Sequence, residues 1–340
     1  MNLWACNSTA SQELPMNLAF RMAGRRSGAR AGSASGIGHC DMDIRIRHKT
    51  TYQYGSGVAF GPHRLMLRPR DSFDLRILDT RLDIWPAAQV EWIHDVYGNP
   101  VAIATFREPG DRLEITSELI LRRYGSTLPR NHASARGAQF APRYSDDERI
   151  VLQPFLAPAS SDGASVLTDW MHQVLADQTP GDDPIARLLN AINANFAYAL
   201  RYEEGVQAPA MTLALRTGSC RDLAWLFIEA VRRLGYAARF VSGYLHDGLS
   251  QDTALRAPTS LTHAWAELFI PGDGWVEFDP TNALVADPHL IRVAMARVPW
   301  EASPVSGSFV GPAGALTGLF VGVDIVGLPE DGPTERTRAA

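Results

Sequence analysis

Short runs of alternating apolar and polar residues fill the chain from residue 42 to residue 124. The first run begins at Met42, where Ile44 and Ile46 alternate with Arg45 and Arg47, a pattern typical of a half-buried strand. Turn-forming residues separate further runs of this kind, which are 65–68, 75–84, 90–96, 101–106 and 112–124. Several short strands joined by turns predict an antiparallel β-sandwich.

The apolar spacing changes to a helical period in the second half of the chain, which predicts helices over 166–175 and 184–196. A third and strongly apolar helix is predicted directly after Ser219, which is a good N-cap, and Asp222 completes a capping box. Cys220 is therefore predicted to be the first residue of this helix. The residues of its buried face are Leu223, Ala224, Phe227, Ile228, Val231 and Leu234.

Two alternating runs on either side of the turn-rich tetrapeptide 271–274 predict a β-hairpin, with His263 opening its first strand and Asp279 closing its second. A four-residue turn without a bulge would place Asp279 opposite Ala266, on the other face of the sheet from His263. One bulged residue would instead place Asp279 opposite Trp265 and diagonal to His263, at about 7–8 Å between Cβ atoms. We predict the bulged register.

The predicted helix and hairpin carry three side chains that together could form a catalytic set. The positive end of a helix dipole favours the thiolate form of a cysteine, which is the nucleophilic form. A thiolate nucleophile needs a base that later protonates the leaving group, and the base needs a group that orients it. Cys220, His263 and Asp279 can supply these three roles. Taken singly, each also has a structural interpretation, as an inert buried thiol, a strand-end histidine or a turn-forming aspartate.

The segments 218–222, 262–267 and 275–282 resemble the motifs of the transglutaminase-like superfamily, whose cores share the papain-like fold. The three motifs occur in the family's order, and the resemblance covers at least residues 165–285. It implies Cys220 as the nucleophile, His263 as the base and Asp279 as the orienting acid. Residues 42–124 also resemble the β-rich region that precedes this core in many bacterial members.

The predicted fold class is therefore α+β. An N-terminal antiparallel β-sandwich is followed by a papain-like, transglutaminase-like core, in which the cysteine lies at a helix N-terminus packed on an antiparallel sheet. The expected organisation has a disordered leader or mis-assigned start (1–41), the β-rich domain (42–124), a linker (125–164), the catalytic core (165–328) and a flexible tail (329–340). The last strands of the core are predicted at 290–298 and 316–328.

Other side chains are candidates for supporting roles. Acyl transfer needs hydrogen-bond donors directed at the developing oxyanion, and the backbone N–H of Cys220 is one such donor. Tyr198 or Gln207 could supply a second donor, although a structural role suits either residue. Trp265 is a candidate substrate contact that would exclude water from the cleft, although a place in the core suits this strand aromatic equally well. The expected structural supports of the site are Ser219, Asp222 and Asn282.

Composition narrows the class of protein. A chain of 340 residues with 46% hydrophobic residues is typical of a globular protein with room for two cores. A net charge of −5 argues against nucleic acid as a partner. The sequence has no apolar run of membrane-spanning length and no metal-ligand, P-loop or serine-elbow motif, so no cofactor or metal is expected. Cys6, Cys40 and Cys220 are too few for a disulfide framework, and a free active-site thiol favours the cytoplasm.

The leading hypothesis is cysteine-dependent acyl transfer or hydrolysis on an amide bond of a protein or peptide, through a thioester. The amide is either a glutamine side chain or a peptide bond, and either an amine or water resolves the thioester. One alternative is a cysteine peptidase or amidase without transferase activity. A second alternative is a catalytically idle binding module that uses the papain-like groove. The sequence leaves the oligomeric state open.

Overall fold

The computed structural model describes residues 42–124, 142–159, 163–177, 182–201, 203, 205–246 and 262–328. The predicted leader, the predicted tail and residues 125–141 of the predicted linker lie outside the described residues. In the part of the chain that is described, no helix combines the length and the apolar character needed to cross a membrane.

The elements follow one another in three groups. The first group consists of strands β1 (Met42–Phe60), β2 (His63–Leu65), β3 (Leu75–Trp85), β4 (Ala88–His94), β5 (Pro100–Phe106) and β6 (Gly110–Arg123). The second consists of helices α1 (Asp146–Leu156), α2 (Ala164–Leu175) and α3 (Pro184–Asn195), strand β7 (Ala197–Tyr198), helix α4 (Pro209–Leu215), strand β8 (Thr217–Gly218) and helix α5 (Cys220–Arg233). The third consists of strands β9 (Ala238–Leu245), β10 (His263–Ile270), β11 (Gly274–Asp279), β12 (Leu284–Val285), β13 (Leu290–Ala296), β14 (Val305–Ser306), β15 (Phe309–Val310) and β16 (Leu316–Leu328).

The N-terminal strands form two antiparallel sheets. One sheet has the order β15-β1-β6-β3 with β16 also paired to β1, and the other has the order β14-β2-β5-β4. On β1, Ile44 and Ile46 are buried while Arg45 and Arg47 are exposed, as the alternation predicts. Apolar side chains of both sheets share one cluster, which includes Tyr54, Val58, Leu65, Ala102, Leu113 and Ile115. The predicted antiparallel β region is confirmed.

Strand β16 corrects the assignment of 316–328 to the core sheet. It pairs antiparallel with β1 over the length of the strand, from Asp43 opposite Leu328 to Gln53 opposite Gly318. The short strands β14 and β15 likewise pair with β2 and β1. The chain thus returns to the N-terminal sheets after β13, and the predicted end of the core at 328 does not hold. An alternating pattern predicts a strand, but it does not identify the partner of that strand.

The second half of the chain builds a separate antiparallel sheet of order β12-β11-β10-β9-β13. Helix α5 lies against β9 and β10 of this core sheet, with Leu223, Phe227 and Ile228 buried in the shared apolar cluster. A second cluster joins β9 and β13, through Tyr244 and Ile291, to residues of β1, β6 and β16. The core sheet is therefore packed against both α5 and the N-terminal region.

Part of the predicted linker is helical. Helix α1 begins after Ser145, which forms a capping box with Glu148, and it contains Pro154. Leu152 is buried in this helix, and the Phe155 ring packs edge-on against Trp275 at 5.3 Å between ring centroids. A helix with so few buried residues shows little apolar periodicity, which explains why the sequence pattern favoured a linker.

Candidate active site

Cys220 begins α5, as predicted from the cap. Ser219 at the N-cap has an extended backbone, and its N–H and its hydroxyl each donate to Asp222 Oδ2 at 2.8 Å. The thiol is free and buried. The first N–H groups of a helix have no partner within the helix, so those next to Cys220 are free to donate hydrogen bonds and stabilise a negative charge nearby.

Asp222 holds the loop before α4 as well as capping the start of α5. Its carboxylate is fully buried and also accepts hydrogen bonds from the backbone N–H of Gln207 at 2.7 Å and from Nε of Arg201 at 2.9 Å. The guanidinium balances the buried negative charge. Sequence reasoning identified Asp222 as a cap but missed Arg201, because nothing in the local pattern pairs an arginine in the loop before α4 with a residue of α5.

The hairpin brings His263 and Asp279 together by a shorter turn than predicted. Ile270 pairs with Gly274 and Ala266 with Phe278, a register that, extended by one step, sets Trp265 opposite Asp279. The predicted register is therefore confirmed, but the predicted bulge is wrong. The loop has three residues instead, with the Asp273 N–H donating to the Ile270 carbonyl around a turn in which Gly272 has φ +89°.

This register produces a buried imidazole–carboxylate pair. Nε2 of His263 lies 2.8 Å from Oδ2 of Asp279, and both side chains are almost entirely buried. Burial lowers the pKa of His263, but the hydrogen bonds and charges of Asp279 and then of Cys220 outweigh it and raise the pKa to about 10. The imidazole therefore interacts with the thiol as well as with the carboxylate. Because Nε2 is engaged by Asp279, Nδ1 is the nitrogen left for the thiol.

The turn after β11 holds the carboxylate in place. Oδ1 of Asp279 accepts from the backbone N–H of Thr281 at 2.9 Å, and Oδ2 accepts from the Asn282 amide at 2.7 Å. The same Asn282 nitrogen lies 3.4 Å from Nε2 of His263. The supporting position predicted for Asn282 is thus next to both members of the pair. Thr281 was missed, although an aspartate followed by turn residues commonly bonds a backbone N–H two residues on.

Tyr198 lies on a strand that is paired with the residues just before Cys220. It belongs to β7, which pairs in parallel with β8 so that Tyr198 is opposite Gly218, two residues before Cys220. Its side chain is half-exposed. Burial and then the negative charge of Cys220 raise the pKa of Tyr198 to about 12, against an opposing effect of Arg221. Tyr198 thus stays a candidate oxyanion donor, on a strand paired with the residues that precede Cys220.

Gln207 and Trp265 have other contacts. The side-chain oxygen of Gln207 accepts from the Thr212 hydroxyl at 3.1 Å, and its backbone bonds Asp222, so this residue stabilises the loop. Trp265 is fully buried and its ring lies nearly parallel to that of His263 at 6.0 Å between centroids. The expectation that Trp265 contacts substrate is therefore corrected, because its position on the covered face of β10 makes it a support for the imidazole.

Among the residues that the structure describes, no three His, Cys, Asp or Glu side chains cluster in a way that could hold a metal ion. What the arrangement offers chemically is a thiol at a helix N-terminus, an imidazole whose pKa this thiol helps to raise, and a carboxylate 2.8 Å from the ring. Such a set is suited to nucleophilic catalysis with proton transfer.

Comparison with known families agrees with this geometry. Residues 168–280 match the model described as the transglutaminase-like superfamily, and residues 44–122 match the bacterial transglutaminase-like N-terminal region. The first match includes Cys220, His263 and Asp279. The chain belongs to the transglutaminase-like superfamily and carries the bacterial N-terminal region ahead of its core, which confirms the resemblance noted in the sequence.

Similar proteins extend over most of the chain. The crystal structure described as a "Putative Cysteine Protease from Cytophaga hutchinsonii" aligns with 86% of this chain and 93% of its own at a TM-score of 0.63 and 20% identity, which shows a shared fold. Uncharacterized protein Rv2569c of Mycobacterium tuberculosis is 28% identical over 281 residues, or 77% of this chain and 86% of that protein. Uncharacterized protein ML0607 of Mycobacterium leprae is 25% identical over 291 residues, covering 84% and 99% respectively. The protein thus has a cysteine-based catalytic fold.

Proposed function

We propose that the protein is a thiol acyltransferase or hydrolase acting on an amide bond of a protein or peptide, with Cys220, His263 and Asp279 as its catalytic triad. One observation carries the proposal. The imidazole of His263 is buried with its Nε2 2.8 Å from the Asp279 carboxylate, and Asp279 together with Cys220 raises its pKa to about 10 against the effect of burial. An imidazolium next to a cysteine stabilises the thiolate form.

In the first half-reaction, the Cys220 thiolate attacks the carbonyl carbon of a glutamine side chain or a peptide bond. The tetrahedral intermediate collapses, the C–N bond breaks, and the His263 imidazolium gives its proton to the departing amine or ammonia. A thioester and a neutral imidazole remain. Asp279 keeps the ring oriented throughout, because its hydrogen bond to Nε2 fixes the tautomer.

In the second half-reaction, an amine or a water molecule attacks the thioester carbonyl and loses its proton to His263. The C–S bond breaks, and the thiolate–imidazolium pair is regenerated. An amine gives transfer, whereas water gives hydrolysis.

The oxyanion of each tetrahedral intermediate needs hydrogen-bond donors. The backbone N–H of Cys220 is one donor, as it belongs to the first turn of α5. The hydroxyl of Tyr198 is the proposed second donor, since β7 pairs this residue with Gly218, two residues before the nucleophile, and burial raises the pKa of its phenol so that it stays protonated. We also expect the protein in the cytoplasm, because a free catalytic thiol suits a reducing compartment.

The test is an assay with a glutaminyl peptide, with and without a primary amine, in which ammonia release and amine incorporation are both measured. Cys220→Ala is the matched inactive control. Amine incorporation that depends on Cys220 supports transfer, and ammonia release alone supports hydrolysis. Peptide-bond cleavage without either product would exclude transfer and glutamine hydrolysis and leave the peptidase alternative, and no turnover of any amide by the folded protein would contradict catalysis altogether.

A further inference from the structure

Arg216 occupies an unusual backbone position close to the candidate nucleophile. It is the C-cap of α4 in the left-handed region, with φ 54° and ψ 27°, where glycine is the common residue. Its N–H donates to the Thr212 carbonyl at 2.9 Å, and its carbonyl accepts from the Ala197 N–H at 2.9 Å. These bonds fix the direction in which its side chain leaves the backbone.

The guanidinium of Arg216 lies over the ring of Phe196, with 5.1 Å from Cζ to the ring centroid. A guanidinium that stacks on an aromatic face keeps the N–H donors along its edge free for a ligand. Phe196 itself is buried and packs edge-on against Trp170. The cation is therefore held on a rigid aromatic base.

Arg216 forms one wall of an open groove of about 390 Å³. The groove is also lined by Trp170, Gln173 and Val174 of α2 and by Asn195 at the end of α3. The side chain of Gln173 is exposed, and the Asn195 amide nitrogen uses one of its hydrogens on the Ala191 carbonyl at 2.8 Å. The groove thus combines a cation with two side-chain amides, a donor set that suits a carboxylate.

The charge of Arg216 has no opposite charge paired with it among the residues that the structure describes. Arg201 on the same side of α5 pairs with Asp222 and Glu203, whereas neither Arg216 nor Arg221 makes an ion pair with a residue that the structure describes. Two uncompensated arginines therefore flank Cys220 in a chain whose net charge is −5. A negatively charged group of a substrate would find complementary charge there.

Arg216, which lines the groove, is close to Cys220 in the sequence. Cys220 is the fourth residue after Arg216, so their Cα atoms are at most about 14 Å apart. The exposed residues of β7, Ala197 and Tyr198, come after Asn195 in the chain, and Tyr198 pairs with Gly218, two residues before the nucleophile. An extended peptide spans about 3.3 Å per residue, so a group bound at Arg216 would be at most about four residues from the reacting amide.

We propose that the groove at Arg216 binds a carboxylate side chain of the acyl-donor peptide, three or four residues from the amide that Cys220 attacks. This subsite rests on the proposed function and narrows its substrate class to acidic protein segments. The bond is a bidentate contact between the Arg216 edge and the carboxylate, supported by the amides of Gln173 and Asn195. Arg221 adds attraction at longer range.

The experiment uses glutaminyl peptides in which one Asp is moved from one to five residues on either side of the glutamine, each paired with the Asn version. Turnover is measured as kcat/KM with the wild type and with Arg216→Gln. Binding of the same labelled peptides is measured with Cys220→Ala, alone and combined with Arg216→Gln. Arg76→Gln, an exposed arginine of β3 far along the chain from the site, is the matched control for loss of one surface charge.

We expect a preference of about tenfold for Asp over Asn at three or four residues, which disappears in Arg216→Gln and persists in Arg76→Gln. Turnover without this preference overturns the subsite and leaves the proposed chemistry intact. Binding of Asp peptides that depends on Arg216 without any turnover supports the subsite and contradicts the chemistry. The absence of both binding preference and turnover overturns both.

Discussion

Two buried histidines, one on a strand of the core sheet and one packed against that sheet, have pKa values shifted in opposite directions. His48 of β1 lies against β9, with Nδ1 3.0 Å from the Tyr244 hydroxyl and Nε2 3.1 Å from the Thr50 hydroxyl, and burial lowers its pKa to about 4. His263 of β10 is equally buried, but Asp279 and Cys220 raise its pKa to about 10. Burial alone favours the neutral ring, and a buried carboxylate reverses that preference. His48 joins two sheets, whereas His263 can hold and transfer a proton.

The largest expected contrast comes from the same substitution at both histidines. His263→Gln removes the proposed base and acid, so kcat should fall by about 10⁴-fold with little change in fold. His48→Gln should leave kcat within about threefold of wild type, because this ring does not reach the thiol. It should lower the free energy of unfolding by about 1–3 kcal/mol, since the Tyr244 and Thr50 hydroxyls lose their partner. Steady-state kinetics and urea unfolding check both.

Asp279→Asn tests whether the carboxylate is what distinguishes the two sites. The amide keeps the shape but removes the charge that raises the pKa of His263, so kcat should fall by about 10²–10³-fold. The decline of activity at high pH should also move to a lower pH, because the imidazolium is lost earlier. An unchanged pH profile of kcat/KM would show that Asp279 does not control the ring.

The two histidines should also give opposite pH dependences of stability. The folded pKa of His263 is raised, so its contribution is complete below about pH 6.5 and is lost as the pH rises towards 10. The folded pKa of His48 is lowered, so stability is lost as the pH falls from about 6.5 towards 4, by about 3 kcal/mol. Urea unfolding between pH 4 and 10 should show a flatter alkaline decline in Asp279→Asn and a flatter acid decline in His48→Gln. The reverse assignment would contradict the comparison.

The smallest expected effect concerns the proposed oxyanion donor. Tyr198→Phe removes one hydrogen bond that forms in the tetrahedral intermediate, so kcat should fall by about tenfold while KM stays nearly constant. Alkylation of Cys220 should be unchanged, because the hydroxyl does not activate the thiol. A kcat within about threefold of wild type would exclude Tyr198 from this role.

The local parts of the site could be predicted because each depends on neighbouring residues. The cap at Ser219 and Asp222 sets the start of α5, and of the two registers considered for β10 and β11 only the one with Trp265 opposite Asp279 places His263 and Asp279 on one face. The predicted four-residue turn with a bulge was wrong, because the hairpin closes with a three-residue loop in which the Asp273 N–H donates to the Ile270 carbonyl.

The long-range parts could not be predicted in the same way. The pairing of Arg201 with Asp222, and the return of β16 to β1, join residues whose local patterns carry no information about each other. Alternation along β10 predicts the face on which Trp265 lies, but whether the ring is buried depends on what covers that face. Sequence periodicity specifies which face of an element is apolar, and the assembled fold decides what that face contacts.

The rate of alkylation of Cys220 by iodoacetamide at pH 6 tests the central claim most directly. A free cysteine is only about 0.3% thiolate at this pH and reacts slowly. If the buried His263 imidazolium stabilises the Cys220 thiolate, the wild type should react at least about tenfold faster than a free thiol, and His263→Gln should remove that advantage. A wild-type rate no higher than that of a free thiol, and unchanged by His263→Gln, would contradict the account.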